Sequence, residues 1–186
     1  MEAPLLLPLA IFVVLAAVLA LASRVGFAAQ RPADYAGQSP AFDLRRELSG
    51  RLGCDGVIYG PLGRVDSRFS ATFHAAWEGN RCTMEEHFAY ASGREQTRVW
   101  TLSLGNDGAI RATAPDVEGT GTGMQSGNAV VLRYRLRLPE DAGGHVLSVT
   151  DWMYLLPNGT IINRSQFRKF GFKVAELVAT IRRAAA

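Results

Sequence analysis

Asp151-Trp152 and Asn163-Arg164-Ser165 stand at the open end of one hairpin, DWMYLLPNGTIINRS, whose Pro157-Asn158-Gly159 turn joins two apolar runs. An acid, an indole, an amide and a guanidinium at that place could hold a ligand, move a proton or brace a core. Alternation decides which of them share a face. Leu147, Val149, Met153 and Leu155 lie on the face of Asp151, so the acid points inward. A three-residue loop over 157–159 puts Asn163 and Ser165 on the same face. Trp152 then meets Arg164 on the opposite face, placed for a cation–π contact.

The same alternation sets Glu86 beside Met84 and Phe88, and Arg98 beside Trp100 and Leu102, with the turn at Ser92-Gly93 bringing Glu86 and Arg98 close. An unpaired buried carboxylate costs several kcal/mol, so this inward set must be paired, protonated or in contact with water or ligand. Three readings stay open. Arg98 could bridge the acids as a structural brace. Glu86, Arg98, Trp100, Asn128, Asp151 and Asn163 could orient the polar end of a lipid or other hydrophobic small molecule. Glu86 or Asp151 could act as a general base, with Arg98 stabilising an anion. No nucleophile sits in a recognisable catalytic context, which leans the reading away from an enzyme. His74, His87 and His145 are scattered and are expected at the surface.

The elements that must position these residues have a period of two. Phe69, Ala71, Phe73, Ala75 and Trp77 alternate with polar or small residues, as do Cys82, Met84, Phe88 and Tyr90 after the Glu78-Gly79-Asn80 turn. Further runs cover 98–104, 109–114, 130–138, 145–155 and 160–167. Residues 172–183 fit a strand or a helix equally. About nine or ten closely spaced strands without intervening helical patterns predict an all-β antiparallel barrel or sandwich. On the last of them but three, Arg133, Arg135 and Arg137 form an outer row that is either solvated or set against anionic lipid.

The 186 residues carry a formal net charge of +3 and 48% hydrophobic side chains, enough for one domain with a true core. No charge run resembles a nucleic-acid-binding arm. From Ala3 to Ser23 no residue is charged, a length that predicts a membrane-spanning helix, with a signal peptide cleaved after Ala20-Leu21-Ala22 as the rival. The expected organisation is therefore an anchor over 1–23, a linker over 24–45 and a barrel over 46–186. Arg24 and Arg31 after the apolar run favour a cytoplasmic domain. Cys54 and Cys82 favour the other side if they form a disulfide, although two isolated buried thiols fit as well.

Several separated motifs carry a family resemblance. They are Glu86-x-Phe88-x-Tyr90, Arg98-x-Trp100, Asp116-Val117-x-Gly119 with Gly123, Gly127-Asn128-Ala129, Asp151-Trp152-Met153-Tyr154, Asn163-Arg164-Ser165 and Lys169-Phe170-Gly171. In order and over roughly residues 42–183 the chain resembles the bacterial domain of unknown function 3833 family, whose members look like envelope proteins, many of them lipoproteins. The resemblance implies a lipocalin-like (calycin-like) barrel, with the last segment a strand, and a bacterial envelope location. It supplies no activity. No cysteine ends the apolar N-terminus to take a lipid, so a single inner-membrane span would replace that anchor, with the barrel on the periplasmic side and an envelope protein as a further partner.

Gly119-Thr120-Gly121-Thr122-Gly123 is not a nucleotide loop, because a strand rather than a helix follows it. It reads as a tight crossing or bulge near Asn128. No cofactor motif and no metal-ligand spacing is found.

Overall fold

The structure is a computed structural model that describes residues 3–22 and 25–184, and the chain forms two compact units, Met1–Asp34 and Tyr35–Ala186. In the first, Ala3–Ala22 is a helix (α1) free of charged residues. The expected membrane span is not found: among the described residues, no helix is long and apolar enough to cross a membrane. Arg24, used for orientation, lies outside the described residues.

The second unit is a closed barrel of ten antiparallel strands, each paired with its neighbours in sequence and β10 with β1. The strands are β1 (Gly50–Tyr59), β2 (Val65–Glu78), β3 (Arg81–Tyr90), β4 (Glu95–Leu104), β5 (Ala109–Thr113), β6 (Gly121–Ser126), β7 (Ala129–Arg137), β8 (Val146–Leu155), β9 (Ile161–Lys169) and β10 (Phe172–Arg183). Closure leaves no unpaired edge. The two-residue period is visible in burial: Phe69, Ala71, Phe73 and Ala75 are buried while the residues between them are exposed. Segment 172–183, ambiguous in sequence, is strand β10, its register set by both neighbours.

The five connections β1–β2, β3–β4, β5–β6, β7–β8 and β9–β10 lie at one end of the barrel, the other turns at the opposite end. That second end is plugged. Asp43 caps a one-turn helix, α2 (Leu44–Glu47), by accepting from the Arg45 amide. Phe42, Leu44 and Leu48 are buried around it. At about 2 kcal/mol per buried side chain, the plug contributes on the order of 6 kcal/mol. Trp77 Nε1 fixes it by donating to the Leu48 carbonyl at 2.7 Å, and the Leu44 amide donates to Gln125 Oε1 at 3.0 Å.

Of the glycine-rich stretch, Gly121 to Gly123 open strand β6, while Gly119 and Thr120 lie in the connection before it. Its glycines answer to close approach all the same: a Cβ at Gly123 would overlap the Val131 carbonyl oxygen on β7. Cys54 and Cys82 are free thiols. Cys54 pairs with Ala71, which pairs with Phe88, whereas Cys82 pairs with Trp77. Two strand spacings of about 4.8 Å and six residues of about 3.3 Å therefore separate them, far beyond the roughly 7 Å between Cα atoms that a disulfide spans.

Candidate functional site

The plug closes the bottom of a cavity of about 770 Å³ that opens through the connections at the far end. Its walls are apolar. Phe69, Phe73, Phe88 and Tyr90 make a ladder with ring centroids 5.4 to 6.2 Å apart, and Trp100 meets Tyr134 edge-on at 5.2 Å. Such pairs fix ring orientation as well as burying area.

Within this wall stands one polar cluster. Glu86 and Arg98 are direct cross-strand neighbours, as the turn chemistry between β3 and β4 requires. Arg98 nevertheless points its fork at Asp116, Nη2 at 2.7 Å and Nε at 2.9 Å, and stands 4.0 Å from Glu86 Oε2. The Arg98 guanidinium also lies 5.7 Å from the Trp100 ring centroid. Opposite, Asp151 pairs with Ser165 and Met153 with Asn163 in the β8–β9 register. Ser165 Oγ donates to Asp151 Oδ1 at 2.9 Å, and Asn163 Nδ2 donates to the same oxygen and to the Trp152 carbonyl at 3.1 Å. The hairpin turn holds this register: the Leu156 amide donates to the Thr160 carbonyl at 2.9 Å, with Gly159 at φ 79°.

The electrostatics follow from burial. Desolvation pushes Glu86 up to about 7, against the opposing pull of Arg98. Burial also raises Asp151, while its bonds from Asn163 and Ser165 hold it back. Burial lowers Arg98, but Tyr134, Glu86 and Asp116 together outweigh it, and the guanidinium stays charged. Three carboxylates thus face one arginine. Two of their oxygens, Glu86 Oε2 and Asp116 Oδ1, are buried without a hydrogen-bond partner.

Of the residues expected at the site, Glu86, Arg98, Trp100, Asp151 and Asn163 line the cavity together. Asn128 does not: it sits in the β6–β7 turn at the plugged end, its carbonyl accepting from the Leu155 amide at 2.8 Å. Asp116 and Tyr134 are functional candidates that site reasoning left out. Asp116 lies on the irregular β5–β6 connection, where no alternation assigns a face, although it opens the Asp116-Val117-x-Gly119 motif. Tyr134 faces the cavity with Leu132 and Leu136 on β7, where alternation makes an aromatic read as core. Burial raises its phenol too.

Trp152 and Arg164 do pair on the outer face. That face is covered, however: Trp152 is 1% exposed, with the Tyr35 ring at 5.2 Å and Tyr154 stacked at 6.0 Å. Arg164 Nε pairs with Glu176 at 2.6 Å. A segment from Tyr35 to Phe42 makes the cover, tied down where the Phe42 amide donates to the Gly127 carbonyl at 2.8 Å. In the outer arginine row, Arg135 and Arg137 pair with Glu118.

Cys54 lines the cavity, but burial pushes its thiol up to about 12, where it is inert. Among the described residues, no group of three His, Cys, Asp or Glu could hold a metal ion.

Fold and chamber together define a lipocalin-like antiparallel barrel with a deep, mostly apolar interior. The chain belongs to the family described as Protein of unknown function (DUF3833), whose model matches residues 21–183. No curated protein matches it in sequence. Among solved structures it is similar to the S-type phycobiliprotein lyase CPES from Guillardia theta, with 6% identity and a TM-score of 0.54 over 75% of this chain and 90% of that one. It is also similar to Rv2717c from M. tuberculosis, with 16% identity and a TM-score of 0.56 over 80% of this chain and 99% of the other. At these identities the likeness is one of fold.

Proposed function

We propose that the barrel binds an apolar small molecule, such as a lipid, that presents hydrogen-bond donors or a positive charge to the polar cluster in the chamber wall. The observation that carries this reading is the pair of buried oxygens that receive no hydrogen bond from the protein, Glu86 Oε2 and Asp116 Oδ1, in an apolar cavity of about 770 Å³. A brace alone would leave them satisfied, because an orphaned buried acceptor costs about 1–3 kcal/mol. Cavities of this size suit ligands of several hundred daltons, with apolar walls supplying affinity and a few polar groups the orientation. The excess of acid over arginine selects donors over carboxylates. The phycobiliprotein lyase of the same fold supports a small-molecule partner.

The envelope location implied by the family resemblance supports placing this carrier on the periplasmic side of a bacterial inner membrane. Fractionation, with residues 1–30 deleted as the control, tests the placement.

Native mass spectrometry of the full chain, with solvent extraction, tests the cargo. The expected result is a stoichiometric adduct, lost in Glu86→Gln and Asp116→Asn proteins that stay folded. An empty chamber in the parent chain, or an adduct that survives both substitutions, overturns the reading. Catalysis is the second reading, favoured by a buried Glu86 poised near neutrality. It requires turnover of the extracted molecule that Glu86→Gln abolishes.

A further inference from the structure

Two adjoining loops at the mouth carry the most exposed apolar side chains of the barrel unit. Leu62 (88% exposed) stands on the β1–β2 connection with Val65 (53%) at the start of β2, and Phe170 (89%) and Phe172 (76%) stand on the β9–β10 hairpin. They are neighbours because β1 joins both: Tyr59 pairs with Val65 on one side and with Glu176 on the other. The hairpin tip is built at a cost. Lys169 pairs with Phe172, leaving Phe170-Gly171 as a two-residue turn with φ of 51° and 85°. Among the described residues Phe170 is the one non-glycine with positive φ, a position that ordinarily takes Asn or Gly. A bulky ring is therefore held out into solvent in a disfavoured backbone conformation. Such outliers point to function.

Cations surround these rings. The chain has two lysines, Lys169 and Lys173, and both flank this hairpin. Lys169 Nζ sits 5.5 Å from the Phe170 ring centroid, and Lys173 is held by Glu176 at 2.7 Å. Arg64 follows Leu62 on the other loop, with Asp66 the acid beside it. Apolar tips ringed by basic side chains match a bilayer with anionic headgroups: the rings enter the acyl boundary while the cations stay at headgroup level. A second copy of this chain would set like charges against each other, which disfavours it as the occupant.

We propose that this rim docks the mouth of the barrel onto an anionic lipid surface. The proposal is independent of what the chamber holds, and it goes beyond any anchoring by the N-terminal segment, because it orients the opening of the chamber toward the bilayer. If the chamber does hold a lipid, the cargo would enter and leave without crossing water.

The test reads the tip itself, so that attachment through residues 1–34 does not confuse it. Full-chain Phe170→Trp is mixed with vesicles of 30% phosphatidylglycerol in phosphatidylcholine, carrying brominated acyl chains. Its emission is taken as the difference from the parent chain, whose own tryptophans are buried or half-buried. Expected are a blue shift and quenching of at least twofold, reduced at least threefold by Arg64→Gln with Lys169→Gln. Full exposure of the new indole on phosphatidylglycerol vesicles overturns the proposal, and so does a blue shift without vesicles that tracks dimer formation. Equal quenching on pure phosphatidylcholine overturns the assignment to an anionic surface. Phe170→Asn controls for folding, since Asn suits the turn: it should unfold no more easily than the parent while losing contact at position 172, read by Phe172→Trp.

Discussion

Arg98 lies opposite Glu86 on paired strands, yet its two short contacts, 2.7 and 2.9 Å, go to Asp116 on a loop, with Glu86 left at 4.0 Å. The nearer acid in sequence register is the less well paired in space. Glu86 is therefore the group whose protonation responds to pH, and Arg98–Asp116 is the pair whose integrity decides stability.

Glu86 in the folded barrel titrates near 7, against 4.5 for a free side chain. A raised carboxyl contributes stability that is complete below about pH 4.5 and lost as pH climbs through about 7. The full difference corresponds to about 3 kcal/mol. Urea midpoints should fall between roughly pH 5 and pH 8. Glu86→Gln should flatten much of that slope, leaving the share of Asp151, which has the same sign. A slope unchanged in Glu86→Gln would place the titration elsewhere.

Replacing Arg98 by Met leaves Asp116 and Glu86 without a counter-charge in a dry wall, at a cost of about 3–5 kcal/mol. Adding Asp116→Asn should recover about 1 kcal/mol or more relative to additivity. A double-mutant cycle by chemical denaturation measures this directly. Additive losses would mean the two side chains act apart.

Gly127 has φ of 52°, and a Cβ there would overlap the Tyr35 carbonyl oxygen. Gly127→Ala should cost about 2 kcal/mol and lift the segment that covers Trp152. Hydrogen exchange across residues 35–42 should accelerate at least tenfold while the mouth is unaffected.

Cys54 and Cys82 are buried, and burial pushes their thiols up to about 12 and about 11. Both should resist an aromatic disulfide reagent in the native state and react only on unfolding. A mass lower by two hydrogens in protein from an oxidising compartment would contradict the register that separates them.

How much of this was legible without coordinates depended on alternation. Wherever side chains alternated, faces followed: Asp151 with Asn163 and Ser165, and Glu86 opposite Arg98, stand in the arrangement expected from spacing. Asp116 escaped because a connection has no pleat to assign its direction. Asn128 misled because a turn residue between two strands looks as much like a wall as a floor. Trp152 stands opposite Arg164 on the expected face, but nothing in a strand pattern announces that a distant Tyr35 will lie across it. The disulfide needed strand order, which two cysteines alone do not supply.

The seam between β1 and β10, where Leu52 meets Arg183, gives the barrel a history as well as a shape. Nine strands leave the ribosome before the one that shuts the ring. Until β10 arrives, β1 and β9 each present a naked edge, and the plug has no sealed wall to close against. The chamber is thus the last thing made. Any step that delays β10 prolongs the period in which the growing sheet can pair with a neighbour instead of with itself.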